Sequence, residues 1–201
     1  MFEYLRQIWR RATSHLLLFY LVSIGHNTID SVCYSYVVDI DLSADEQRLV
    51  TYAQDAVTKY NSMRHSRGGI DTLYAFVLSD TGRIFDGASF EPDIAHSTFC
   101  GERCAVANMV LNESYEAKIK TIVIADPVPS IQDRNTPPCG TCRHVIHQFA
   151  TPDTTVLSVQ YIRQKEDWTF PKVEKWTIDA LYPHPYEPEK GLWDDWTGPR
   201  V

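Results

Sequence analysis

Four of the chain's five cysteines fall in two short stretches that read as one site. The stretches are Cys100-Gly101-Glu102-Arg103-Cys104-Ala105 and Pro138-Cys139-Gly140-Thr141-Cys142-Arg143. Cys100, Cys139, Cys142 and Glu102 are the parts of a zinc ligand set and a proton carrier. Zinc favours thiolates in tetrahedral geometry. Cys139 and Cys142 are three apart, so one turn at a helix start aims both sulfurs at one point. Cys100 supplies the third sulfur from a second helix start. Three protein ligands leave a fourth position for water, which separates a catalytic zinc site from a closed structural one. The partial positive charge of a helix N-terminus favours thiolates. Three thiolates around Zn²⁺ leave a formal charge of about −1, which weakens the metal's power to acidify water. Arg103 and Arg143, each next to a cysteine, are candidates to donate hydrogen bonds to the sulfurs and offset that charge. Glu102 is too close to Cys100 in sequence to be an easy fourth ligand. It is placed to take a proton from water and return it to a substrate. The competing reading is a closed zinc knuckle, with Cys104, four residues after Cys100 on the same helix face, as fourth ligand. That reading leaves Glu102 without a task.

A Cys-x-Glu followed by Pro-Cys-x-x-Cys is the pattern of zinc deaminases in which cysteine replaces the first histidine. From Leu42 to Pro183 the chain resembles the cytidine deaminases that act on free nucleosides, and the related blasticidin S deaminases. Three stretches carry the resemblance. They are Gly82-Arg83-Ile84-Phe85-Asp86-Gly87-Ala88-Ser89-Phe90-Glu91, Cys100-Gly101-Glu102-Arg103, and Pro138 to Phe149. Leu181-Tyr182-Pro183 is also similar to the family's Leu-Leu-Pro. The resemblance implies that Glu91, nine residues before Cys100, binds the nucleoside. It places Ser89 where the family has a ribose-binding asparagine, and Gly101 where an alanine backbone touches the base. The family's base-stacking aromatic would fall around Asp71 to Leu73, where none aligns. Tyr74, Phe76 and His65 are the nearest candidates.

Composition sets outer bounds. The chain has 201 residues, an apolar fraction of 44% and a formal charge of −7. This fits one domain with an extension. Nucleic-acid binding is driven by Lys and Arg neutralising phosphates, so an acidic chain is poorly suited to it. Neither a nucleic-acid nor a membrane partner is expected. No disulfide framework is visible, in keeping with a reducing, cytoplasmic location. Cys33 and Cys104 are left over, and Cys104 reads as a small packing residue.

Residues 1–41 differ from the rest. Arg6, Arg10 and Arg11 precede the apolar run Leu16 to Ile24. That run is too short to span a bilayer. Its order is similar to that of a secretory signal, but no small-residue cleavage site follows. The segment is expected to lie outside the catalytic domain, with a signal or membrane-surface contact as the alternative. Residues 42–183 form that domain. Ser43 and Glu46 make a capping-box signature for a helix over Ala44 to Met63. Arg64, His65 and Arg67 cluster in the following loop, read either as solvated or as a pocket wall. Leu73 to Leu78 and Arg83 to Phe90 are strands around an Asp-Thr-Gly turn. His96 lies in the next loop and reads as a surface or rim residue. The first metal helix is expected over Gly101 to Ser114, a buried strand over Lys120 to Ala125, and the second metal helix over Gly140 to Phe149. His144 and His147 on that helix read as non-ligands, because the thiols already satisfy zinc. Val156 to Tyr161 and Trp168 to Phe170 read as strand, and Val173 to Leu181 as a short helix. Residues 184–201, with Trp193 and Trp196, form an aromatic and proline-rich tail.

The alternation of elements indicates an α/β sandwich. The resemblance implies the cytidine deaminase fold, a three-layer α/β/α sandwich with a mixed central sheet and both metal helices on one face. It also implies a homo-oligomer, tetramer or dimer, a zinc cofactor, and hydrolysis of cytidine or deoxycytidine with release of ammonia in pyrimidine salvage. Ser89 and the missing aromatic keep open a modified or antibiotic nucleoside or another aminated heterocycle. A non-catalytic zinc-stabilised binding module is the third reading.

Overall fold

The computed structural model describes residues 40–92 and 97–186. The N-terminal segment before residue 40, His96 and the tail beyond Tyr186, with Trp193 and Trp196, lie outside the described residues.

Helix α1 (Ala44–His65) starts as its sequence dictates. The Ser43 hydroxyl accepts the Glu46 N–H at 3.3 Å, and the Glu46 carboxylate accepts the Ser43 N–H at 2.8 Å. Leu49, Val50, Ala53, Ala56 and Val57 form its buried face. Strands β1 (Tyr74–Ser79) and β2 (Ile84–Ala88) make the expected hairpin. Gly82, with φ +84°, takes the left-handed turn position that residues with a Cβ avoid. Helix α2 (Gly101–Asn112), β3 (Ile119–Pro127), α3 (Gly140–Phe149), β4 (Ala150–Gln164), β5 (Asp167–Thr177) and the one-turn α4 (Ile178–Leu181) follow.

The sheet order is β2-β1-β3-β4-β5. Only β3 and β4 run parallel, joined by α3; the other pairs are antiparallel, so the sheet is mixed. Alternate residues serve opposite faces. Tyr74, Phe76, Val123, Leu157 and Tyr161 pack beneath α1. Ala75, Val77, Ile122, Ile124 and Val156 pack against Ala105, Met109 and Ile146 of α2 and α3. Both faces are covered, which is why Tyr74–Leu78 of β1 and Ile122–Ala125 of β3 read as unbroken apolar runs. The architecture is the three-layer sandwich, with both cysteine-bearing helices on one face.

One segment differs from the expectation. Val173 to Thr177 is strand, and helix begins only at Ile178. The antiparallel ladder with β4 runs through Val173↔Val159 to Thr177↔Thr155, and Val173 and Trp176 pack on opposite faces. Tertiary pairing overrides the local signal there. Pro171 lies at the irregularity in this ladder, where a missing N–H is tolerated.

Glu46 also joins α1 to β5, because the Lys175 ammonium lies 2.8 Å from its carboxylate. Burial acts to raise the Glu46 pKa, but Lys175, the Ser43 N–H and Thr155 together hold it below the ordinary value. A depressed folded-state pKa stabilises above the unfolded value and is lost as pH falls through the folded one. Glu46→Gln should therefore lower stability at pH 7 by about 1–3 kcal/mol. The gap to wild type should narrow as the pH drops below about 4, measured by thermal denaturation across pH.

Candidate metal centre and active site

The site is built where two helix starts meet one end of the sheet. After β2, Ser89 donates its N–H to the Leu73 carbonyl at 2.8 Å. Phe90 and Phe99 then exchange backbone hydrogen bonds at 2.8 and 2.9 Å, closing the loop that leads to Cys100. Cys100 is the N-cap of α2 in extended conformation, without a side-chain capping bond of its own. Ser89, just past the end of β2, supplies the cap: the Gly101 N–H donates to its hydroxyl at 3.3 Å. Close approach requires residues without side chains here. A Cβ on Gly87 would lie 2.3 Å from the Ala105 nitrogen and 2.3 Å from the Gly101 oxygen. A Cβ on Gly101 would lie 3.1 Å from Leu73 Cδ2 and 3.2 Å from the Ala75 nitrogen. Cys139 is the N-cap of α3, and Cys142 lies in its first turn.

The sulfurs of Cys100, Cys139 and Cys142 all lie within 4.8 Å of one another, and those of Cys100 and Cys139 are 4.0 Å apart. A tetrahedral zinc site with bonds of about 2.3 Å sets its sulfurs about 3.8 Å apart. Cys142 is buried, Cys100 half-buried and Cys139 exposed. Cys104 is not part of this group, which removes the fourth thiol that a closed knuckle would use.

Electrostatics favour a cation at this point. Burial, and then the Glu102 charge, push the Cys100 and Cys142 thiols up. Burial acts the same way on Cys139, but hydrogen bonds from the Cys142 N–H and thiol and from Cys100 outweigh it and lower that thiol. Glu102 is 3% exposed, and its Oε2 is buried with no hydrogen-bond partner. Burial raises its carboxyl above the ordinary value, against a hydrogen bond from the Cys142 thiol and the charge of Arg103. Three crowded thiols and an unpartnered buried carboxylate oxygen fit a zinc ion, which would stabilise every anion in the group.

The two arginines act differently from the expectation. Arg103 donates to the Thr98 carbonyl at 2.8 Å, and its guanidinium lies 4.6 Å from the centre of the Phe99 ring. Arg143 donates to the Pro138 carbonyl at 2.7 Å and to the Leu181 carbonyl at 3.0 Å. They brace the backbone on either side of the cysteines rather than bonding the sulfurs. His144 and His147 both face the Tyr182 ring, at 6.1 and 5.7 Å between centres, as aromatic packing rather than metal ligands.

None of the three candidate stacking rings reaches the sulfurs' face of the sheet by the route expected. Tyr74 and Phe76 are buried beneath α1, on the opposite face. His65 bonds Asp71 at 2.7 Å and Arg163 at 3.0 Å, so it fastens the loop after α1 to β4. Leu73 occupies the position against Gly101 that sequence reasoning left unassigned. Glu91 is exposed. Asp126, near the end of β3, was also missed: its charge acts on Glu102, burial raises its own carboxyl, and a hydrogen bond from Thr136 partly opposes that rise.

A family model described as the cytidine and deoxycytidylate deaminase zinc-binding region matches residues 45–158. The chain belongs to this family. It is 31% identical over 104 residues to a cytidine deaminase of Mycoplasma pneumoniae, covering 50% of this chain and 73% of that one. It is 30% identical over 151 residues to a blasticidin-S deaminase of Bacillus cereus, covering 73% of this chain and 95% of that one. Among solved structures, a cytidine deaminase from Burkholderia pseudomallei matches with a TM-score of 0.48 and 18% identity, over 67% of this chain and 98% of that one. This deaminase is thus a zinc-dependent hydrolase.

The contact between β2 and α2 yields a prediction. Gly87→Ala should destabilise the protein by about 3 kcal/mol or more, because both clashing atoms are backbone. Thermal denaturation and zinc content per chain should fall together.

Proposed function

We propose that this deaminase hydrolyses the exocyclic amine of cytidine or deoxycytidine, giving uridine or deoxyuridine and ammonia. The observation that carries the reading is the buried, unpartnered Oε2 of Glu102 beside the three-sulfur cluster. Cys100, Cys139 and Cys142 would hold zinc. Zinc bound there supplies the Lewis acidity that makes water a nucleophile at neutral pH.

Glu102 does the proton work. Its Oε2 accepts a proton from the attacking water as the oxygen bonds to C4 of the ring. It delivers that proton to N3, then relays the remaining hydroxyl proton to the amine. The C4–N bond breaks and ammonia leaves, so Glu102 ends as it began. Burial, by favouring the protonated form, suits a carboxyl that must hold the proton between steps. Arg103 and Arg143 keep both cysteine-bearing segments in place through backbone carbonyls.

Ser89, Gly101 and Glu91 are proposed to face the sugar and base. A second reading, a modified or antibiotic nucleoside, draws support from Ser89. Its hydroxyl is engaged by the Gly101 N–H. The similarity to a blasticidin-S deaminase over 73% of this chain favours the same reading. A homo-oligomer is supported by the exposed Phe90, Phe99 and Ile131 on the loops leading to the cysteines. A reducing, cytoplasmic location is proposed from the free thiols. Among the described residues no helix is long and apolar enough to cross a membrane.

Glu102→Gln should keep one zinc per chain and the fold, yet lose about 10²–10⁴ in turnover, read as ammonia release from cytidine, deoxycytidine and blasticidin S. An active, zinc-loaded Gln variant would remove Glu102 from the role. Alanine at Cys100, Cys139 or Cys142 should lose zinc and lower thermal stability, measured by metal analysis and denaturation. A variant that stays active without metal would take that cysteine out of the ligand set.

A further inference from the structure

Cys142 lies within α3, and Cys100 follows the Phe90–Phe99 backbone pair, but nothing regular precedes Cys139. It stands at the end of the irregular segment 128–138, which joins β3 to α3. What fixes that segment is a buried polar clamp on the face of the sheet that carries both cysteine helices.

Gln160 of β4 is 1% exposed, and its side-chain amide grips the segment twice. Its Oε1 accepts the Gln132 N–H at 3.0 Å, and its Nε2 donates to the Gln132 carbonyl at 3.0 Å. This is the pairing a β-strand would offer, made by one side chain. The same Nε2 donates to Asn135 Oδ1 at 2.9 Å. Asn135, 4% exposed, donates its Nδ2 to the Ser158 carbonyl at 2.5 Å. Val128 extends the ladder by donating its N–H to the Tyr161 carbonyl at 3.0 Å. Past the clamp, Thr136 bonds the Asp126 carboxyl, and the Pro138 carbonyl is held by Arg143. The Lys172 ammonium of β5 also donates to the Gln132 and Asp133 carbonyls from the solvent side. From Gln132 to Pro138 the segment is thus held by side chains, with no ladder of its own, and the buried ones are Gln160 and Asn135.

We propose that Gln160 and Asn135 are positioning residues for the metal site: they set where the Cys139 sulfur stands relative to those of Cys100 and Cys142. The proposal rests on the ligand set given above. Partners that orient a metal's ligands are worth about 10–100-fold in metal affinity. Removing the amide takes a partner from the Gln132 N–H, the Gln132 carbonyl and the buried Asn135 Oδ1, so the segment shifts before the sheet does.

The test compares zinc-loaded, full-length Gln160→Leu, Asn135→Ala and the double variant with Thr121→Val. Thr121 bonds Thr155 at 3.1 Å between the same two strands, nearer their other end, so its loss weakens the sheet without touching the segment. Zinc transfer to a chromogenic chelator should be about tenfold faster in each single variant. The thiolate-to-metal charge-transfer band of the cobalt-substituted protein should shift or weaken. Metal-free thermal stability should fall no further than in Thr121→Val. The double variant should lose less than the product of the singles, since the two residues share one bond. Asn135→Ala carries the test if Gln160→Leu does not fold. The proposal is overturned if zinc release stays at the wild-type rate, or if it rises only as metal-free stability falls, as in Thr121→Val. Cys139→Ser with an undiminished cobalt–thiolate band would instead overturn the ligand set, leaving the clamp with nothing to position.

Discussion

Two helix starts must bring three sulfurs within 4.8 Å of one another, and much of the described fold serves that demand. A helix N-terminus is a good place for a thiolate but a poor place to bury against another, because both carry partial positive charge. The sheet resolves this by presenting both helices on one face and letting them approach its end from separate crossovers. α2 can reach the meeting point only by lying directly on β2 and the start of β1. Gly87 and Gly101 make that contact with backbone alone. The same closeness seals Glu102 from water and leaves Ser89 as the cap for α2.

The burial of Glu102 has an electrostatic consequence that orders the rest of the site. A buried carboxylate and several thiols repel one another, and burial is the strongest push against charge on Cys100, Glu102 and Cys142. Removing them from water without compensation is unfavourable. A metal cation held by the three sulfurs would be the nearest compensation. The two arginines do not supply it through sulfur bonds; they fix Thr98, Pro138 and Leu181. The positive charge that balances the anions and the positive charge that holds the backbone are thus separate groups.

What was legible in the sequence was local. The capping box of α1, the helix starts at Cys100 and Cys139 and the turn at Gly82 each depend on residues within a few positions, and the structure places them as read. What was not legible depends on distant partners. Val173 to Thr177 has no strong strand signal, and its ladder exists because β4 lies beside it. Tyr74 and Phe76 were candidates for the substrate side because their type is right, but strand alternation turns them beneath α1. Alternation was readable; which face would carry the cysteines was not. Gln160 reads as one polar residue in an apolar strand, and nothing local shows that Gln132 and Asn135 return to meet it.

This division follows the chemistry. Cys100 and Glu102, proposed to hold metal and move protons, are packed by a helix start, buried strands and glycine contacts, where small changes are strongly destabilising. Of the groups proposed to meet the substrate, Ser89 and Glu91 lie in the loop after β2, where Glu91 is exposed, and Leu73 stands where a stacking ring was sought. Side chains there can change with little effect on the core. A single fold can therefore keep one deamination chemistry while the shape of the amine it accepts varies. Under the proposed function, the loops around Ser89 and Leu73, rather than the sulfurs, are where discrimination between a plain and a modified nucleoside would lie.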